Sequence, residues 1–104
     1  MIRRFVLFAA LLLPALALAD PLWIDVRSPE EYQQDHIAGD PNIPHTEIGA
    51  KIEALAPSRD AEIVLYCARG GRAGTAEKTL EALGYTHVRN AGGIADARKE
   101  RGLE

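Results

Sequence analysis

Glu62-Ile63-Val64-Leu65-Tyr66-Cys67-Ala68-Arg69-Gly70-Gly71-Arg72-Ala73-Gly74 is the stretch whose reading decides the fold. Its continuous apolar centre suits a strand, Glu62 to Tyr66, covered on both faces by helices. The period then changes. Ala73, Ala76, Leu80 and Leu83 recur at three- and four-residue spacings, which predicts a helix running to Leu83 with Gly84 as its C-terminal stop. In parallel α/β sheets ligand sites lie beyond the carboxyl ends of strands, and Cys67, the one cysteine of the chain, stands at such an end.

Working outward, Leu22 to Val26 is a short β-prone run that reads as a strand, with Trp23 most simply a core residue. Ser28 is a good N-cap, Pro29 fits the first helical position and Glu31 lies three residues past the cap, so Pro29 to Asp35 is expected to be a short helix. Arg27 and Glu31 are close enough to pair, by default as an exposed pair worth under ~1 kcal/mol. Gly39, Pro41 and Pro44 impose a bent path, with Asn42-Ile43 as a very short strand. Thr46 is the expected cap of a second helix whose apolar stripe is Ile48, Ile52 and Leu55, ended by Pro57 to Asp60. Tyr85 to Asn90 reads as the last strand, centred on Val88. After Gly92-Gly93, Ile94 to Leu103 is a charged, marginal helix. This alternation predicts an α/β fold with a small, mainly parallel central sheet flanked by helices.

The first nineteen residues stand apart. Met1-Ile2-Arg3-Arg4 is basic, Phe5 to Leu18 is apolar around Pro14, and Ala17-Leu18-Ala19 is a small-x-small cleavage pattern, so residues 1–19 read as a cleaved secretory signal peptide. Fifteen residues from Phe5 to Ala19 fall short of the ~20 that a bilayer core needs. The Arg3-Arg4 pair sits in a poor match to a twin-arginine signal. Residues 20–104 are then one small exported domain, expected in the periplasm, with no membrane partner after cleavage. Without Arg3 and Arg4 the formal net charge moves from −3 to −5, which argues against nucleic acid or an anionic membrane as partner. A small exported domain often carries paired disulfides, and one cysteine forms none within the chain. A lone thiol in an oxidising compartment risks overoxidation, which suggests that it has a use.

The loop supplies a use. A thiol reacts as its thiolate, and a reference pKa of about 8.5 leaves only a few per cent ionised at pH 7. Gly70 and Gly71 let successive N–H groups turn inward, the following helix adds its partial positive end, and Arg69 and Arg72 add charge. All of these favour an anion on Cys67 and would receive an anionic substrate. A free cysteine ending a core strand is commonly a small buried hydrophobe, but that reading leaves the two glycines and two arginines unexplained. Of the arginines, Arg72 is the preferred binder because it closes the loop at the helix start.

The loop Cys67-Ala68-Arg69-Gly70-Gly71-Arg72-Ala73 resembles the active-site loop of the single-domain rhodaneses, C-x-x-G-x-R followed by a small residue. Asp25-Val26-Arg27-Ser28-Pro29-Glu30-Glu31-Tyr32 and His36-Ile37-Ala38-Gly39-Asp40-Pro41-Asn42-Ile43-Pro44 are similar to the family's first signature, and Leu83-Gly84-Tyr85 through Asn90-Ala91-Gly92-Gly93-Ile94 to its closing segment. The likeness is greatest to the small exported type. It implies transfer of a sulfane sulfur by a ping-pong route through a Cys67 persulfide, from thiosulfate or a similar donor to cyanide or a thiol. It further implies that Ala68, Arg69, Gly70, Gly71, Arg72 and Ala73 bind the donor and the carried sulfur, with no metal or organic cofactor. Asp35 departs from a frequent glycine of the family and Asp40 from a frequent alanine, and the tryptophan frequent after Gly-Gly-Ile is absent.

Three rivals rank lower. A cysteine-dependent phosphatase needs C-x5-R, and here Arg72 arrives one residue early, with Tyr66 where a histidine commonly precedes the cysteine. A non-catalytic binding module of the same fold would typically have lost the cysteine. Metal binding by His36, His45, His87 and Cys67 lacks ligand spacing on one helix. His36 is instead expected to make a structural hydrogen bond, with His45 and His87 solvated.

Overall fold

The structure, a computed structural model, describes residues 20–103; the proposed signal segment and its cleavage point lie outside the described residues. Three strands, β1 (Leu22–Asp25), β2 (Glu62–Cys67) and β3 (His87–Gly93), form one parallel sheet with β2 in the middle. Four helices connect and follow them: α1 (Pro29–Gln34), α2 (Ile48–Leu55), α3 (Gly71–Ala82) and α4 (Ile94–Arg101). The expected α/β architecture is therefore present. Asn42 makes only an isolated bridge to Asp25, which extends the β1 edge by a single pair.

The apolar run of β2 is buried on both faces because its side chains alternate. Ile63, Leu65 and Cys67 point into the larger core, where Ile24, Val26, Ile48, Ile52, Ala73, Ala76 and Leu80 close over them from β1, α2 and α3. Tyr66 points the other way, into a smaller cluster with Ile37 and Ala97 against which Trp23, Ala91 and Ile94 pack. This alternation decides the position of the sulfur. It turns Cys67 toward the start of α3 rather than toward α4.

Several local expectations shift. Helix α1 starts as read, with Ser28 and Glu31 forming a reciprocal capping box. Helix α2 is capped by Glu47, not by Thr46, and makes no side-chain cap bond, because Glu47 has a helical backbone and its carboxylate accepts instead from Lys51 at 2.5 Å. Leu55 and Leu83, placed in the helical stripes, are 41 % and 42 % exposed. Both lie at the last turn or just past their helices, where the chain already leaves the sheet. Strand β3 runs two residues later at its start and three at its end than expected, with Tyr85 buried ahead of it and its hydroxyl donating to the Ala56 carbonyl at 2.6 Å. Trp23 is half-buried rather than central, and the Arg101 guanidinium lies 4.3 Å above its ring.

Candidate active site

Cys67 ends β2 and Gly71 starts α3, so only Ala68, Arg69 and Gly70 separate strand from helix. So sharp a reversal needs a left-handed residue, and Gly70 supplies it with φ +109°. The chain then wraps the sulfur. The Gly70 N–H donates to Cys67 Sγ at 3.0 Å and the Ala73 N–H, in the first turn of α3, donates to it at 3.4 Å. Cys67 itself is 1 % exposed. Burial alone would push the thiol up, but the amides of Ala73, Arg69, Gly70 and Arg72 together outweigh it and hold the thiol below its ordinary value. The positive end of the α3 dipole acts in the same direction.

The two loop arginines differ. Arg72 is clamped by Glu31 of α1 through a two-point pair at 2.6 and 3.0 Å, which raises the guanidinium further above its ordinary value and pulls the Glu31 carboxyl down to about 2. Arg69 is exposed and has no carboxylate partner among the described residues. The preference for Arg72 as donor binder therefore meets a geometry in which that side chain is engaged elsewhere. The expected Arg27–Glu31 pair does not form. Arg27 turns back to Asp25 of β1, with contacts of 2.8 to 3.1 Å, and donates to the Asp35 carbonyl at 2.6 Å. Both members are buried, Asp25 at 0 % and Arg27 at 7 % exposure. The pair fixes the strand end beside Tyr66, whose carbonyl accepts from the Val26 N–H at 2.9 Å.

His36 makes the expected structural hydrogen bond, between Nδ1 and the Tyr32 carbonyl at 2.8 Å, and stacks on the Tyr32 ring at 4.0 Å. No group of His, Cys, Asp or Glu among the described residues is arranged to hold a metal. Two contributors were missed in the sequence. Glu31 is legible as a capping residue, but its second role lies across 41 positions of chain. Asn90 reads only as a polar residue before Gly92-Gly93, yet it reaches the Gly70 carbonyl at 2.8 Å.

Comparison with known proteins gives matches over most of the chain. Residues 9–100 match the model of the Rhodanese-like domain. The chain is 41 % identical over 96 residues to the thiosulfate sulfurtransferase PspE of Escherichia coli, covering 92 % of each protein. It is 32 % identical over 76 residues to the thiosulfate:glutathione sulfurtransferase of Saccharomyces cerevisiae, covering 62 % of this chain and 55 % of that one. Among solved structures, an E. coli rhodanese with anions superposes with a TM-score of 0.70 at 44 % identity, over 74 % of this chain and 91 % of that one. The human single-domain sulfurtransferase TSTD1 gives 0.64 at 31 % identity, over 86 % and 90 %. A family match over most of the length makes this chain a member of the rhodanese-like domain family.

Proposed function

We propose that the protein is a sulfurtransferase that carries a sulfane sulfur on Cys67. The observation that supports this reading most directly is the convergence of the Gly70 and Ala73 amides on Sγ at 3.0 and 3.4 Å. Such donors favour the thiolate before reaction and an added, negatively charged sulfur after it. In the first step the Cys67 thiolate attacks the outer sulfur of thiosulfate. The new S–S bond forms as the old one breaks, and its electron pair leaves with sulfite. In the second step an acceptor, cyanide or a thiol, attacks the terminal sulfur of the persulfide and returns the thiolate. The loop from Ala68 to Ala73 surrounds the sulfur through both steps. No protein group is needed as an acid, since both leaving groups depart as anions, and none is needed as a base where each nucleophile attacks as its anion, a thiol acceptor having given its proton to solvent.

Arg69 is the cation free to meet a dianionic donor, while Arg72 and Glu31 hold the loop against α1. Thiocyanate formation from thiosulfate and cyanide tests this. Cys67→Ser should abolish it, and Arg69→Ala should lower kcat/KM for thiosulfate about tenfold, more than Arg72→Ala. Turnover by Cys67→Ser would reject the sulfur carrier. We further propose that residues 1–19 direct export and are removed, so that protein recovered from the periplasm begins at Asp20. An intact mass retaining Met1 to Ala19 would reject that.

A further inference from the structure

Helix α3 and strand β3 meet beneath the cysteine loop, and Asn90 stands at the junction. Its Oδ1 accepts from the Gly92 N–H at 2.8 Å, a two-residue turn of the kind Asn favours, and this coincides with a bulge in β3. Register shows the effect: Leu65 pairs with Asn90 but Tyr66 with Gly92 and Cys67 with Gly93. The other end of the amide, Nδ2, donates to the Gly70 carbonyl at 2.8 Å. That carbonyl also accepts from the Gly74 N–H at 2.9 Å, so both of its lone pairs are held. The side chain lies against both glycines, where a Cβ on Gly70 or Gly74 would stand 3.8 and 3.5 Å from Nδ2 in ordinary contact, and one on Gly70 would press the Gly92 Cα at 3.3 Å. Gly93 is similarly constrained, since a Cβ there would collide with the Ala68 carbonyl oxygen.

We propose that Asn90 is a positioning residue for sulfur transfer: by holding the Gly70 carbonyl it fixes the residue whose N–H meets the sulfur on Cys67. A glycine at φ +109° has soft torsions, so the direction of its N–H depends on what restrains its neighbours. Two of the restraints, the bond from the Gly70 N–H to Cys67 Sγ and that from the Gly74 N–H to the Gly70 carbonyl, are local to the loop and helix. Asn90 is the one that comes from across the sheet. The inference rests on Cys67 as sulfur carrier for its meaning in catalysis, but the geometry it concerns is readable without turnover.

The test compares wild type, Asn90→Ala and a core variant, Ile52→Val, that loses stability from the α2 side of the larger core without removing a hydrogen bond of the loop. For each, the rate of Cys67 alkylation by iodoacetamide is measured against pH, together with exchange of the Gly70 amide by NMR. Charged groups beside the loop are Arg69 and Arg72, Glu31 on α1, the Asp25–Arg27 pair at the end of β1 and Asp96 on α4, which holds the Gly93 N–H, and none is altered. Asn90→Ala should shift the thiol titration upward, lowering thiolate reactivity at neutral pH about three- to tenfold, and should speed Gly70 amide exchange. Ile52→Val should move neither. If Asn90→Ala does not fold, Asn90→Ser is read by the same criteria. An unshifted titration in the Asn90 variant, or an equal shift in Ile52→Val, overturns the positioning role. Failure of wild type to take up sulfur would instead overturn the proposed function, and the titration would still decide the role of Asn90 on its own.

Discussion

Glu31 accepts from the Ser28 N–H at 3.0 Å on one side and from the Arg72 guanidinium on the other, so one carboxylate caps α1 and ties α1 to the cysteine loop. Arg72 first, and the Ser28 N–H second, hold its carboxyl at about 2 against an ordinary 4.5. A carboxyl depressed on folding contributes stability above its unfolded pKa and loses it as pH falls through the folded one. The melting-temperature gap between wild type and Glu31→Gln should therefore be constant above 4.5 and close between 4.5 and about 2. The side chain is 36 % exposed, so solvent screening keeps the gap small. A gap unchanged down to pH 2 would show that the pair does not hold the loop. At this scale the sequence was partly legible. Cys67 and its glycines stand together in five residues, Cys67 to Gly71, whereas the choice of partner for each arginine does not follow from spacing.

Helix α4 shows what spacing could and could not reveal. Its composition reads as charged and marginal, and the folded helix buries only Ala97. Such a stripe is too thin to dock a helix by itself. Ion pairs supply the rest: Arg98 with Asp35 at 2.8 and 3.0 Å, Arg101 with Asp40 at 2.6 and 3.1 Å, and Glu100 with Arg89. The Asp96 carboxylate caps its start by accepting from the Gly93 N–H at 2.8 Å. Asp35 and Asp40, read in the sequence as departures from frequent family residues, both receive an arginine of α4. Asp40 is buried and also accepts from the Tyr66 hydroxyl at 2.7 Å; burial first, and this carboxylate second, push the phenol well above its ordinary range. Asp40→Ala would strand both partners and should cost roughly 3 kcal/mol in denaturant unfolding. Asp35→Ala, at an exposed site, should cost less. Equal losses would mean that the Asp40 network does not anchor the helix.

For the whole molecule, the order of strands and helices was legible because each segment has a clear period and the apolar run of β2 could only be central. Boundaries were less so. Strand β3 continues through Gly92 and Gly93 because it must pass under the Ala68 carbonyl, a constraint from a residue 25 positions earlier that local propensity cannot express. The same holds for the pairs that brace the two faces of the sheet, which span 26, 41 and 61 positions. Of these, the Glu31–Arg72 pair reaches the cysteine loop, whose task in this account is to carry a sulfur on Cys67. The most direct measurement of that claim is the intact mass of protein with a proven free thiol after incubation with thiosulfate. The account predicts the gain of one sulfur atom on Cys67 and its loss on adding cyanide. An unmodified mass would contradict it.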